Sequence, residues 1–376
     1  MAGIYIHVPY CKTRCVYCDF YTQTNQTSAD RYLQALCREI ELRNNYLNNE
    51  IVETIYWGGG TPSQLAVEQL IRVMDAVRQH FDVSDTAEIT LEANPDDLDE
   101  EYLALLRQAS INRLSIGIQS FDDEELVFLK RRHSSQQAIE AVKKAQDAGF
   151  DNISIDLMYG LPRQTKERWL SNIDKAIQLG VQHISAYHLI YEDNTPLMDL
   201  LHRGKVQTVD EDLSVDMFSI LIDQLKDAGF EHYEISNYAQ PGFISRHNSS
   251  YWQGCKYAGF GPAAHSYNGI SRSWNVSSLK KYIDGIENGK PDAETEVLNQ
   301  QSRYNEYILT RMRTAWGIDM KELKACFGET LHNRFTKDIA RYIAVGNVIE
   351  SGDFVRFSRE GIFISDGIMS DLMMLD

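Results

Sequence analysis

The sequence predicts an α/β protein: a partial (β/α)6 barrel followed by a mostly helical C-terminal domain that carries a small β-wing. Short runs rich in β-branched and aromatic residues recur six times in the first two thirds of the 376-residue chain, each followed by a stretch whose apolar residues fall at helical spacing. Strand and helix in alternation mean a parallel sheet covered by helices. Polar or otherwise special residues close each of these strands. That is where βα-barrels place their chemistry, which favours a barrel over a doubly wound sheet.

In chain order the strands read "IYIHVP", "ETIYWG", "EITLEANP", "RLSIGIQS", "NISIDLMYGLP" and "HISAYHLI", with helical stretches such as "RYLQALCREIELRNNYL" and "AIEAVKKAQDAGF" between them. The alternation stops near residue 240. After about 300 the chain reads as helices, "SRYNEYILTRMRTAW", "MKELKACFG" and "LHNRFTKDIARYIAVG", and then as the hairpin "VIESGDFVRFSREGIFIS". The expected organisation is therefore a barrel over 1–240, a connecting segment over 241–300 and a helical winged domain over 301–376.

Hydrophobic residues make up 43% of the chain, enough for a substantial core. There is no apolar run of about eighteen residues, and "MAGIYIHVPY" lacks the basic and apolar regions of a signal peptide, so a soluble cytoplasmic protein without a transmembrane segment is expected. A net charge of −17 argues against a broad nucleic-acid surface, so no nucleic-acid partner is expected and a DNA-reading role for the wing is set aside. An anionic ligand would need a local basic pocket. Six cysteines in a reducing compartment do not form a disulfide framework; Cys11, Cys15 and Cys18 cluster, whereas Cys37, Cys255 and Cys326 are scattered.

The cluster spells C-x3-C-x2-C. A redox C-x-x-C normally opens a helix and has no third cysteine four residues earlier. Zinc, with His7 as a fourth ligand, is a further reading, although structural zinc usually draws on two separated pairs. Three thiolates also suit a cubane iron–sulfur cluster, in which they leave one iron open to a substrate. The next strand ends in Gly58, Gly59 and Gly60, which remove three Cβ atoms where a ligand must approach the backbone, and Pro62 fixes the exit. No G-K-[ST] follows, so this is not a P-loop. The later "GFGPAA" imitates a dinucleotide fingerprint, but Pro262 removes a needed donor and the surroundings of Asp284 read as helix.

The cysteine spacing and the glycine-rich strand end together resemble the radical S-adenosylmethionine (SAM) superfamily, which implies a [4Fe-4S] cluster on Cys11, Cys15 and Cys18 with SAM on the open iron. "YIHVPYCKTRCVYCDF", "WGGGTP", "LEANP", "IGIQSF", "LKRRHS" and "IDLMYGLPRQT" resemble, over nearly the whole chain, the oxygen-independent coproporphyrinogen III dehydrogenases and the related HemW-type heme chaperones. The resemblance implies that Tyr5, Gly59 and Glu92 contact the cluster-bound SAM. It further implies that Tyr17, Gly60, Thr61, Gln119, Arg131 and Asp156 match positions that line a second SAM site in the dehydrogenase. Carboxylates at strand ends suit ribose hydroxyls or an amino group, and Arg131 suits a carboxylate.

Two features separate the relatives. The dehydrogenase motif continues with a further cysteine where this chain has Phe20, and the HemW type departs from it in the same way. "RHNSSYW" matches the H-N-x-x-Y-W motif of the HemW type, which makes His247 the expected axial heme ligand or the group that holds it, with Cys255 and His265 as further candidates. Tyr251 and Trp252 offer flat faces to a macrocycle, and Arg246, Lys256 and Arg272 are suited to its propionates. The expectation is a heme chaperone that binds heme, a [4Fe-4S] cluster and SAM. Its partners would be a heme-acceptor protein and an electron donor, and it would act alongside porphyrin biosynthesis without dehydrogenase activity. The alternative is the dehydrogenase itself.

Overall fold

The computed structural model describes residues 2–374. Strands β1 (Ala2–Val8), β2 (Val52–Gly59), β3 (Val83–Ala93), β4 (Arg113–Gln119), β5 (Ile153–Tyr159) and β6 (His183–His188) lie side by side in that order, all parallel. They are the six strands the sequence predicts. Alternation along each strand explains the layering. One face carries Ile4, Ile6, Ile55, Trp57, Leu91, Ile116, Ile155 and Ile184, all buried. The other carries polar groups, and the parallel register lays them in rows: Tyr5 beside Tyr56, Glu92 beside Ser115, and Gly117 beside Asp156 and Ser185.

The covering helices are fixed by local signals. Asp99 caps Glu100–Gln108, Ser134 and Gln137 form a capping box on Ser135–Asp147, and Thr165 caps Lys166–Gln178. Each buries one stripe, such as Ala138, Ala141, Val142 and Ala145 in the second.

Both sheet edges are extended. Beyond β6, β7 (Glu231–Glu234) and β8 (Asn237–Ala239) form an antiparallel pair, with β8 next to β6. At the other edge β9 (Lys256–Phe260) runs parallel to β1, followed by β10 (His265–Tyr267), β11 (Ser271–Asn275) and β12 (Ala293–Val297), to give a 12-stranded sheet. The segment read as a connector, 241–300, thus supplies four strands to the barrel sheet.

The C-terminal region has its own core of Tyr304, Ile308, Met312, Phe335, Ile339 and Val355. Its helices Gln300–Met312, Met320–Ala344 and Ser365–Leu372 pack with a small antiparallel sheet of β13 (Ile318–Asp319), β14 (Val348–Ser351) and β15 (Phe354–Phe357). The chain of Met320–Ala344 is broken at Gly328, whose backbone is not helical. Arg359 reaches Asp223 of the barrel, Arg272 pairs with Glu306 at 2.9 Å, and the Arg313 guanidinium lies 5.3 Å from the Trp252 ring. Among the described residues no helix is long and apolar enough to cross a membrane.

Candidate cofactor and ligand site

The cysteine loop leaves β1 at the barrel mouth and is tied there by backbone hydrogen bonds. Cys11 N–H donates to Gln23 O, Gln23 N–H to Pro9 O, and Leu197 N–H to Val16 O. The end of β2 adds two more, Gly60 N–H to Val8 O and Thr61 N–H to Tyr10 O, each 2.7 Å. This geometry is why glycine is needed. A Cβ on Gly60 would lie 2.6 Å from Tyr10 O and 2.8 Å from Val8 O, and Gly59 sits at φ +102° with the His7 ring 2.6 Å from the place of its missing Cβ.

Cys11, Cys15 and Cys18 line one end of a cavity of ≈ 450 Å³. Tyr17, Gly59, Gly60, Thr61, Glu92, Gln119, Arg131 and Asp156 line the same cavity. Thr61 Oγ1 donates to Cys11 Sγ at 3.4 Å, and Arg131 Nη1 to Cys15 Sγ at 3.5 Å. Arg131 also donates to Asn94 Oδ1 and to the Gly117 carbonyl, while its buried Nε has no partner. Gln119 closes β4 at φ +70°, an uncommon conformation for a side-chain-bearing residue.

Burial pushes Glu92 up to about 8, helped by the charge of Asp156, and pushes Asp156 up to about 6. Burial also raises Cys18 to about 11 and Cys11 in the same direction. Two carboxyls thus face a cavity that favours their neutral forms. A cationic ligand would reverse that preference.

A second cavity, ≈ 1230 Å³, opens between β1, the strands β9–β11 and the C-terminal domain. Tyr5, Tyr251, Trp252, Tyr257, Tyr267, Tyr307 and Phe327 line it, with Arg14, Arg272, Arg303 and Arg311. Arg272 and Arg311 are paired with Glu306 and Glu322, whereas the Arg303 side chain makes no ion pair or hydrogen bond among the described residues. Arg14, Asp19, Phe20 and Thr22 border both cavities. Phe20 is 62% exposed between them.

Two expected residues lie elsewhere. Tyr5 lines the larger cavity, although its ring stacks on Tyr56 and stays close to Glu92. His247 lines neither. It is buried, stacked on Tyr56, with Nδ1 2.8 Å from Thr54 Oγ1 and Nε2 2.7 Å from the Tyr251 hydroxyl. Burial, with the charge of Arg113 adding to it, takes its pKa down to about 3. Both ring nitrogens of His247, the expected heme ligand or the group that holds it, are engaged inside the wall. Sequence reasoning also passed over Thr54, Tyr56 and the distal Arg303 and Arg311. For the first two a signal existed: alternation along β2 puts Thr54, Tyr56 and Gly58 on one face.

The radical SAM superfamily matches residues 5–176, and the HemN C-terminal domain matches 298–364. The heme chaperone HemW of Mycobacterium tuberculosis is 36% identical over 376 residues, covering 99% of this chain and 94% of its own. That of Bacillus subtilis is 34% identical over 371 residues, covering 98% of each. The chain belongs to the HemW family of radical SAM proteins. A mouse relative, radical S-adenosyl methionine domain-containing protein 1, mitochondrial, is 37% identical over 396 residues, spanning 99% of this chain and 87% of that one. In fold, this HemW family member is similar to coproporphyrinogen III oxidase (HemN) from Escherichia coli, a radical SAM enzyme. The TM-score is 0.85, at 22% identity, over 99% of this chain and 90% of that one.

The residues fit the groups that a HemW family member implies. All three cysteines are free, and the cavity beside them offers buried carboxyls, an unpaired guanidinium nitrogen and the glycine strand end.

Proposed function

We propose that this chain is a cytoplasmic heme chaperone. It holds a [4Fe-4S] cluster on Cys11, Cys15 and Cys18, binds SAM in the smaller cavity, takes heme in the larger one and hands it to an acceptor protein. When bound, the cluster supplies single electrons, which calls for an electron-donor partner. The chain's own residues do the rest. Glu92 and Asp156 face the ligand's amino and hydroxyl groups, Arg131 meets a carboxylate, and Gly59 and Gly60 let it reach the backbone.

One observation carries the heme assignment: the larger cavity is walled by flat aromatic faces and holds an uncommitted cation, Arg303, within an acidic chain. At ≈ 1230 Å³ it exceeds the roughly 300–1,000 Å³ of ordinary small-molecule sites, which suits a macrocycle with two propionates. The full-length relatives named as heme chaperones support the same reading.

The test is anaerobic reconstitution with iron, sulfide and SAM, followed by hemin titration and incubation with an apo-acceptor cytochrome. Retained hemin that moves to the acceptor is expected. Failure to retain hemin, or production of vinyl groups from coproporphyrinogen III, would overturn the assignment.

A further inference from the structure

We infer that Arg303 and Arg272 form a carboxylate-binding subsite at one end of the larger cavity, and that this subsite selects porphyrins carrying free propionates. The inference rests on the reading that the larger cavity takes heme. Of the three cations that the sequence offers to propionates, Arg246 and Lys256 do not line the cavity and are paired with Glu53 and Glu50. Arg272, on β11, does line it and commits only part of its guanidinium to the protein. Its Nη2 lies 2.9 Å from Glu306 Oε1, whereas its buried Nε has no partner. A buried N–H without an acceptor is costly, and a ligand oxygen would relieve that cost.

The second guanidinium comes from the C-terminal domain. Arg303 stands three residues before Glu306 on the helix Gln300–Met312, so the two share a face. Glu306 is turned to Arg272, which leaves Arg303 without a carboxylate. Tyr267 places both cations at the same end. It is the cross-strand neighbour of Arg272, and its phenol feels both: burial raises its pKa, Glu306 adds to the rise, and Arg272 and Arg303 oppose it. The subsite therefore bridges the barrel sheet and the C-terminal domain.

Charge explains why such a subsite is needed. A heme brings two propionates to a chain of net charge −17. Among the charged residues that line the cavity, arginines outnumber carboxylates by one, and removal of Arg303 would cancel that excess. Planar guanidinium groups meet carboxylates through paired hydrogen bonds. Tyr257, Tyr267 and Tyr307 line the same cavity and would seat the macrocycle beside them.

The experiment compares hemin with hemin dimethyl ester, each titrated into the reconstituted full-length protein and read by Soret absorbance. The ester keeps the iron and the ring but removes both charges. Wild type should bind hemin about tenfold more tightly than the ester. Arg303→Gln should lose most of that advantage for hemin and nothing for the ester, with cluster content, circular dichroism and the position of the Soret band unchanged. Arg303→Lys, which keeps the charge without the planar fork, should fall between the two. Added salt should weaken hemin binding to wild type more than to Arg303→Gln. Lys337→Gln, which removes an exposed charge outside the cavity, should leave both affinities as they are. Equal affinity of wild type for hemin and its ester, or unaltered hemin affinity in Arg303→Gln, would overturn the inference while leaving the heme reading standing. A wild-type protein that binds neither compound would overturn the heme reading itself.

Discussion

The Tyr56 hydroxyl donates to Glu92 Oε1 at 2.8 Å, from β2 to the end of β3, within the wall that separates the two cavities. Even with this bond, burial and the nearby Asp156 raise Glu92 from its ordinary 4.5 to about 8. Between those values the folded protein keeps a proton that the unfolded chain has released. Fewer protons on the unfolded state mean that stability falls as pH rises through this window. Glu92 should therefore contribute a loss of stability between pH 4.5 and about 8 in the cofactor-free protein, and Glu92→Gln should remove that contribution from the profile. Urea unfolding at a series of pH values measures both. An unchanged slope in the variant would place the dependence elsewhere.

Cluster binding should depend on three thiols only. Cys15→Ala should lose the broad iron–sulfur absorbance and the associated iron, because two thiolates cannot hold a cubane securely. Cys37→Ala, Cys255→Ala and Cys326→Ala should keep both. Anaerobic iron and sulfide analysis decides the matter, and full iron retention in Cys15→Ala would refute the ligand set.

Gly60→Ala should damage the site through the backbone. The added methyl would meet two carbonyl oxygens, those of Tyr10 and Val8, and backbone cannot swing aside as a flexible side chain can. Overpacking of this kind costs roughly 1–3 kcal/mol. The strain falls on the hydrogen bonds that tie β2 to the cysteine loop, so lower thermal stability should come with incomplete cluster incorporation. Gly367→Ala, where a Cβ meets nothing within 4 Å, is the control and should not lower either.

How much of this was legible depends on the range of the contacts. The six parallel strands and their polar residues follow from local alternation, and Glu92, Gln119 and Asp156 of those strands do share one cavity, together with Arg131 from the loop region after β4. β9 was not legible: "KYAGF" is short, carries no clear alternation, and becomes a strand by pairing with β1 from more than two hundred residues away. The place of His247 was hidden for a related reason. Spacing puts His247 and Tyr251 on one helix face, but which of them meets the cavity is decided by Thr54 and Tyr56 of β2, packed behind. Arg303 and Arg311 belong to a cavity wall that exists only once the C-terminal domain has docked.

The last prediction concerns Phe20, which stands where the related dehydrogenases carry a further cysteine. Its ring is largely exposed at the border of both cavities, although an apolar side chain there gains nothing from water. A ligand filling the larger cavity would cover it. Partial burial of such a ring contributes on the order of 1–2 kcal/mol, so Phe20→Ala should weaken hemin binding several-fold without changing cluster content or the spectrum of the bound iron. The same position has no sulfur to offer, so wild-type protein with SAM and a reductant should form no vinyl groups from coproporphyrinogen III. Hemin titration and product analysis by mass spectrometry test the two halves separately. Unaltered hemin affinity in Phe20→Ala would remove the ring from the heme site, and vinyl products from wild type would show that a phenylalanine there is compatible with the dehydrogenase reaction.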